Sequence, residues 1–249
     1  MTGIGLGINI GRRCCSKAFA GGKPTYPKWF NDTIVCWYDI KKQGATNELL
    51  KQDPTLIDHS GHNLHLTLIG FEFNENSGIN KNGDALTFNR NNCYGISTGQ
   101  PILTDYTIIA KRIGKDYTYG TVASKSISDP TKDGAFVFET WEHRANYSFG
   151  GLSYFDNWDE MISYQTKTSY NGIPLTVGTA TDTDTLYIGS TRTVTDTWSG
   201  DLYAFLLFNK SLELWQIEWI RKNILGDMDY YTFDSHKAVL YDSGKKVFV

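Results

Sequence analysis

The acidic residues that could carry out glycosidase chemistry lie in one short segment, residues 139–143. This segment places Glu139 and Glu142 three positions apart. A retaining glycosidase needs two carboxylates about 5–5.5 Å apart around the bond that it cleaves. In an extended strand, positions i and i+3 point to opposite faces, so these glutamates could serve one sugar only if a turn intervened. We therefore expect no enzymatic activity, and a glycoside hydrolase of the β-glucanase type remains an alternative.

The histidines and glycines do not form a motif typical of a metal or cofactor site. His59, His62 and His65 recur at every third position, but on a strand they would alternate between faces. Solvated turn residues are therefore expected there instead of zinc ligands. The glycines near the start of the chain precede no strand and helix of a dinucleotide-binding unit. No catalytic residue and no required cofactor are predicted.

Side chains suited to binding a glycan are concentrated in residues 147–158. Aromatic faces stack on sugar rings, while neighbouring Asp and Asn side chains bind hydroxyl groups, commonly on the loops of β-sandwiches. We predict that a glycan is bound by Tyr154, Asp156, Asn157 and Trp158. The alternative for any single aromatic residue is that its ring packs against the protein where the chain crosses the edge of a sheet.

Composition and charge restrict the classes of partner. The chain has 249 residues and a formal net charge of -3, with 40% hydrophobic and 14% aromatic residues. This composition can bury one large core. The near balance of charge produces no field that would attract a polyanion, so nucleic acid is not expected as a partner. Apolar runs such as 204–208 are far shorter than the roughly 20 residues that cross a bilayer, so no membrane partner is expected.

Residues 1–32 are predicted to be an extended, Gly-rich N-terminal arm. Its apolar residues alternate with Gly and Asn at the period of a strand, and they precede the first basic residues, which reverses the order of a secretory signal peptide. The four cysteines match neither a disulfide scaffold nor zinc spacing, which favours synthesis in a reducing cytoplasm. A flexible terminus is the alternative to an attachment arm. The residues predicted to attach a partner are Ile4, Leu6, Ile8, Ile10, Arg12 and Arg13.

From residue 33 onward, short runs rich in β-branched and aromatic residues alternate with turn residues, which is typical of an all-β sandwich or barrel. Ser211 is a good N-cap, and the apolar spacing after it predicts a short helix that ends at Gly226. The predicted units are the arm, a sandwich over 33–226, and a tail over 227–249 that forms a hairpin. The predicted strands of the sandwich are 33–38, 65–73, 85–88, 94–96, 106–112, 120–124, 135–140, 145–149, 160–166, 168–170, 173–181, 185–189 and 200–208.

Two groups of segments resemble the opening and closing strands of laminin-G-like and concanavalin A-like domains. The opening pair is a Trp-Tyr-Asp strand at 37–39 and an Asp-x-Ser-Gly turn at 58–61. The closing pair is Tyr-Ile-Gly at 187–189 and Gly-Asp-Leu at 200–202, followed by the helix. The resemblance spans about residues 33–225. It implies a concanavalin A-like (laminin-G-like) antiparallel β-sandwich jelly roll with one short C-terminal helix.

The resemblance also implies a calcium ion, since members of this family often hold one at a rim of the sandwich. Asp182, Asp184 and Asp196 lie near one another in the sequence. A calcium site needs about six to eight oxygen ligands that converge in space, and the sequence does not supply a complete set. Calcium therefore remains an open alternative. The turn at 58–61 and Asp201 have structural explanations that need no ligand.

The arm, sandwich and tail together resemble virion proteins of tailed phages, especially those that infect Bacteroides-type gut bacteria. Residues 198–222 in particular resemble domains of their head or tail appendages. This resemblance implies a non-enzymatic structural or decoration protein of the virion, made in the host cytoplasm. It would form a homo-oligomer, attach to other virion proteins through its arm, and contact host surface glycans with its sandwich. A soluble carbohydrate-binding module is the alternative, with the hydrolase as a further one.

Overall fold

The computed structural model describes residues 26–90, 93–115, 120–126, 129–140, 144–155, 161–190, 197–226, 239–242 and 245–248. Within these ranges β-strand is the predominant regular structure, and none of the described helices is long and apolar enough to cross a membrane. The helices are α1 (Lys28–Thr33), α2 (Ile40–Gln43), α3 (Asn47–Gln52) and α4 (Leu214–Asn223). The strands are β1 (Ile34–Asp39), β2 (Thr55–Leu56), β3 (Leu66–Ile69), β4 (Gly78–Ile79), β5 (Leu86–Asn89), β6 (Tyr94–Ser97), β7 (Thr107–Gly114), β8 (Gly120–Lys125), β9 (Phe136–Thr140), β10 (Arg144–Ser148), β11 (Gly151–Phe155), β12 (Ile162–Thr166), β13 (Ser169–Tyr170), β14 (Ile173–Pro174), β15 (Leu186–Ile188), β16 (Ser199–Phe208), β17 (Val239–Asp242) and β18 (Lys245–Phe248).

Two antiparallel sheets form the sandwich. The first sheet has the order β14-β13-β12-β7-β16-β5-β4, and β1 pairs with the second half of the long strand β16. The second sheet has the order β11-β10-β9-β8-β15-β6-β3-β2. Strands β17 and β18 pair with each other. The predicted fold class, an antiparallel β-sandwich with one short C-terminal helix, is confirmed.

The main core lies between the two sheets. Because side chains alternate between the faces of a strand, every second residue of each long strand points into this space. Phe136 and Phe138 on β9 and Leu202 and Phe205 on β16 are almost completely buried there. Trp198 is also buried, at 1% exposure, and its ring lies 5.4 Å from that of Phe88. Trp198 is therefore a core residue that contacts the interior side of the first sheet.

A second, smaller core covers the outer face of the first sheet. Helix α1 contributes Phe30, whose ring lies 5.6 Å from that of Phe208, and helix α4 contributes Ile217 and Ile220. Residues 26–32 of the predicted arm thus lie against the first sheet, with α1 beginning directly after Pro27. This packing leaves the second sheet as the one whose outer face is not covered by a described helix.

Helix α4 begins later than predicted. Its N-cap is Glu213, which forms a capping box with Gln216, so the expected cap at Ser211 is wrong. Ser211 instead donates from its hydroxyl and its backbone N–H to Asp105, at 2.6 and 2.8 Å. Arg221 and Lys222 occupy the last turn, where positive charge is favourable.

Each predicted strand overlaps an observed strand, but several boundaries differ. The predicted strand 173–181 is reduced to its first two residues, Ile173 and Pro174. Residues 151–155, expected within a binding loop, form the edge strand β11, because they pair along their whole length with β10. The two-residue strands β2 and β4 and the short helices α2 and α3 were not predicted.

Candidate functional site

The outer face of the second sheet carries one unbroken row of side chains across all eight strands. The row follows from the register, since residues paired across neighbouring strands lie on the same face. Their sequence neighbours Phe136, Leu186 and Leu66 are buried in the main core, which places the row on the opposite, outer face. In strand order, the row consists of Leu152, Tyr147, Val137, Ser124, Tyr187, Ile96, Thr67 and Thr55. Its central members Val137 and Ser124 are buried, at 3% and 0% exposure, so the accessible parts of the row lie on either side of them.

Four tyrosines lie in or beside this row, and we call the row together with Tyr94 and Tyr154 the tyrosine face. Tyr187 and Tyr94 have ring centroids 6.4 Å apart. Tyr147 is paired with Leu152, and Tyr154 lies two positions further along the same edge strand. Tyr154 has 70% of its surface exposed, while the other three rings are half-buried. The face therefore combines fixed aromatic rings with one freely accessible ring at the sheet edge.

Burial favours the protonated form of two of these phenols, those of Tyr147 and Tyr187. Burial raises the pKa of Tyr147, and the nearby groups Glu139, Tyr154 and Asp129 raise it further. Burial also raises the pKa of Tyr187, with a smaller contribution from Tyr94. A protonated phenol can both donate and accept a hydrogen bond. Each ring thus offers an apolar face and a polar tip, the combination that sugar binding uses.

Of the predicted glycan-binding residues, the structure describes Tyr154 alone. It lies on β11, paired with Ala145, and points away from the core. Asp156, Asn157 and Trp158 lie outside the described residues. The strand that leads to them is fixed by Phe155, which is 7% exposed and packs 5.2 Å from the ring of Tyr170. Tyr147 lies at the start of the predicted segment 147–158 but was not among the residues predicted to bind, and Tyr94 and Tyr187 lie outside that segment. Each of the three alternates with buried residues on its own strand, which is the local signal that could have found them.

Several carboxylates were considered above for catalysis or calcium binding. Those that the structure describes are buried or bonded to other groups of the protein. Glu139 is 1% exposed on β9, and Glu142 lies outside the described residues. Asp182 binds Lys125 and two backbone N–H groups, those of Leu103 and Ala135. Asp184 accepts from the hydroxyl of Thr185, and Asp196 lies outside the described residues. Within the described ranges, no three His, Cys, Asp or Glu side chains are grouped to hold a metal ion.

The Asp-x-Ser-Gly turn is held by its own side chains. The carboxylate of Asp58 accepts from the backbone N–H groups of Trp37, Ser60 and Leu64 and from the hydroxyl of Ser60, at 2.7–3.1 Å. Gly61 has a φ of 93°, which favours glycine. The turn thus ties β1 to the following segment, in agreement with its expected structural role.

The three histidines of this region do not converge on a common point. His65 accepts from the backbone N–H of Asp58 through Nδ1, at 3.0 Å, and Nδ1 of His62 lies 3.0 Å from the carbonyl oxygen of Val35. His59 contacts the ring of Trp37 edge-on, at 5.8 Å. The three rings therefore have separate contacts within the turn region.

One Gly-x-Ser-x-Gly pattern, the spacing of a hydrolase nucleophile elbow, occurs at residues 95–99. Its Ser97 is the last residue of β6 and is 2% exposed. The hydroxyl donates to the carbonyl of Leu64 and accepts from the amide of Gln100. An elbow requires a strand-to-helix turn with an exposed serine, and residues 95–99 do not form one.

Asp201 also has a structural role. Its carboxylate accepts from the hydroxyl of Thr87 at 2.6 Å and pairs with Lys115 at 2.7 Å, on the outer face of the first sheet.

The residues predicted to attach a partner lie outside the described residues. They are Ile4, Leu6, Ile8, Ile10, Arg12 and Arg13.

Comparison with known proteins gives matches in structure alone. No family model matches the chain, and no curated protein matches it in sequence. Among solved structures, a sialidase from Trypanosoma rangeli is similar with a TM-score of 0.52 and 14% identity, over 77% of this chain and 33% of the sialidase.

Two toxin domains are similar to the same extent. The receptor-binding domain of botulinum neurotoxin C/D mosaic serotype has a TM-score of 0.50 and 12% identity, over 88% of this chain and 62% of that domain. The binding domain of botulinum neurotoxin serotype D has a TM-score of 0.50 and 12% identity, over 88% of this chain and 63% of that domain. The chain thus spans about a third of the sialidase and about three fifths of the toxin domains. At this identity the likeness defines the fold alone: an antiparallel β-sandwich.

Proposed function

We propose that this chain is a non-catalytic, glycan-binding β-sandwich module whose ligand lies on the tyrosine face. The observation that carries the proposal is Tyr154, a large aromatic side chain 70% exposed at the sheet edge, two positions from the Leu152 that pairs with Tyr147. Exposed aromatic rings beside half-buried ones offer a sugar ring both a stacking surface and phenol hydroxyls. The fold shared with receptor-binding domains supports the same class of function.

The arrangement of Tyr147 and Tyr154 would orient a bound oligosaccharide as well as contact it. Diagonal neighbours on one face of an antiparallel pair lie about 7–8 Å apart, so Tyr147 and Tyr154 can contact adjacent parts of one oligosaccharide. The strands that hold both rings pair over five positions, which fixes the spacing before a ligand arrives. A single shallow face binds weakly, and a homo-oligomer would raise the apparent affinity through simultaneous binding.

The module would act on the virion of a tailed phage, in the head or a tail appendage. The resemblance of residues 198–222 to such proteins supports this placement, with residues 1–32 attaching the module to other virion proteins and to further copies of itself. Capsid or portal genes beside the gene for this chain would agree with the placement. A monomeric full-length chain whose residues 1–32 are cut readily by protease would contradict the attachment role.

The binding function is tested on a glycan array with the full-length chain. Wild type should bind a restricted set of glycans, and Tyr154→Ala should lose about tenfold or more of the affinity, since stacked aromatics contribute strongly to recognition. Trp215→Ala is the matched control, because Trp215 is an exposed aromatic on α4, on the opposite side of the sandwich. Absence of binding to every glycan would overturn the proposal. Release of reducing ends from β-glucans, lost in Glu142→Gln, would overturn its non-catalytic part.

A further inference from the structure

The C-terminal hairpin, formed by β17 and β18, is separate from both sheets of the sandwich. Among the described residues, its two strands pair with each other and with no further strand. An isolated two-stranded hairpin is marginally stable in water. Each of its two outer edges is also a row of backbone N–H and C=O groups that can pair with another chain. A strand of a further chain would therefore both complete these edges and stabilise the hairpin.

The register divides the hairpin into an apolar end and a charged end. Next to the turn, Asp242 is paired with Lys245, so opposite charges lie across from each other. At the end away from the turn, apolar residues are paired with apolar residues. These pairs are Val239 with Phe248 and Leu240 with Val247. Apolar pairs and opposite charges both stabilise antiparallel strands, whereas like charges across from each other destabilise them.

This register distinguishes the ways in which two copies could pair. If β17 paired along its whole length with β17 of a second copy, Val239 would lie opposite Asp242. If β18 paired with β18, Lys245 would lie opposite Phe248. Each of these symmetric pairings places a charge opposite an apolar residue. Pairing of β17 with β18 of another copy instead repeats the pairs of the hairpin itself, including Asp242 with Lys245.

We propose that the tails associate head to tail, with β17 of one copy paired to β18 of the next in a continuous antiparallel sheet. Such a contact uses different surfaces of the two copies, and contacts of this kind close into a ring when the rotation between copies permits it. Residues 227–238 lie between Gly226 and the hairpin, and a segment of that length spans at most about 45 Å. The tails of neighbouring copies can thus meet at a distance from their sandwiches.

This association adds a second contact between copies to the one proposed for residues 1–32, and it does not depend on glycan binding. A ring of copies would display several sandwiches at once, which raises the apparent affinity for a surface that carries many glycans. The hairpin would therefore set the number of modules that act together, while the tyrosine face of each module binds the ligand.

Sedimentation of the full-length chain over a range of concentrations tests the contact. Leu240→Asp places a charge opposite Val247 at each contact between copies, so the concentration at which half of the chains are associated should rise about tenfold or more. Leu214→Asp is the matched control, because it makes the same exchange at an exposed leucine of α4, outside the hairpin.

The possible results separate this inference from the other proposals. Association that is equally strong in Leu240→Asp and Leu214→Asp would overturn the inference and assign the contact to another part of the chain, such as residues 1–32. A wild-type chain that stays monomeric at every concentration would overturn it as well. Glycan binding is measured independently on the array, so either result leaves the role of Tyr154 open to its own test.

An exchange of charge between two variants separates contacts between copies from contacts within one hairpin. Asp242→Lys and Lys245→Asp each place like charges opposite each other, so each variant alone should associate more weakly than wild type. In an equal mixture, position 242 of either variant meets the opposite charge at position 245 of the other. The mixture should therefore associate about threefold or more tightly than either variant alone. A mixture that associates no better than its components would overturn head-to-tail pairing.

Discussion

Lys125 and Asp182 form an ion pair enclosed between the two sheets, with Nζ 2.6 Å from Oδ2 and neither side chain exposed. Nζ also donates to the carbonyl of Pro101, and the carboxylate accepts from the backbone N–H groups of Leu103 and Ala135. Burial lowers the pKa of Lys125, and the carboxylate of Asp182 opposes that shift. The pair thus joins four segments of the chain: β8, residues 101–103, Ala135 and Asp182.

Removal of Asp182 should be more damaging than removal of Lys125. Asp182→Ala leaves a buried ammonium without its carboxylate, and breaking a buried pair in this way costs about 3–5 kcal/mol. Lys125→Met leaves a carboxylate that still accepts from two N–H groups, so we expect a smaller loss. Urea unfolding of both variants measures the difference. A loss below about 1 kcal/mol for Asp182→Ala would contradict this assignment.

The close approach of Trp198 to the strand that follows it should make Gly200 intolerant of a side chain. A Cβ at Gly200 would lie 2.3 Å from Cζ2 of Trp198 and 2.5 Å from the carbonyl oxygen of Ile113. Overpacking of this kind costs about 1–3 kcal/mol, so Gly200→Ala should lower the free energy of unfolding by that amount. Gly114→Ala is the matched control, because Gly114 pairs with Gly200 and a Cβ there meets no atom within 4 Å. Equal losses in the two variants would rule out the steric explanation.

The carboxylate of Asp58 should be required for the stability of the opening turn. Asp58→Ala removes the acceptor for the N–H groups of Trp37 and Leu64. Each buried donor left without a partner costs about 1–3 kcal/mol. Asp53→Ala, at an exposed position where the carboxylate accepts from Thr55, should change stability by about 0.5 kcal/mol or less. Thermal or urea unfolding of the two variants compares these effects, and similar stabilities would count against the role of the turn.

Stability should fall on the acidic side of neutrality because of His59. Burial lowers the pKa of His59 in the folded chain, and the nearby Lys42 lowers it further. The unfolded state, with a pKa of about 6.5, then binds more protons, so stability is lost as the pH falls through about 6.5 toward the lower folded value. His59→Gln should flatten the dependence of the unfolding free energy on pH between about 5 and 8. An identical slope in wild type and His59→Gln would refute this origin.

Local sequence patterns were sufficient to predict most of the sandwich, and the misses have identifiable causes. Runs rich in β-branched and aromatic residues at 106–112 and 200–208 predicted the long central strands β7 and β16, which are buried on both faces over about half of their length. The helix was found but its start was misplaced, since Ser211 bonds to Asp105, a residue 106 positions away. The aromatic and polar composition of residues 147–158 predicts a binding loop, whereas the pairing of residues 151–155 with β10 makes that part a strand.

By itself, the sequence determined the β-branched and aromatic runs of the strands, the turn residues and the apolar stripe of α4, because each depends on neighbours a few positions apart. The tertiary structure decided which residues meet. Strand register placed Tyr147 and Tyr187 in one row with Val137 and Ser124 between them, and sheet packing brought Lys125 to Asp182, 57 residues away. These contacts depend on pairing between distant segments, and no local period of the sequence encodes which segments pair.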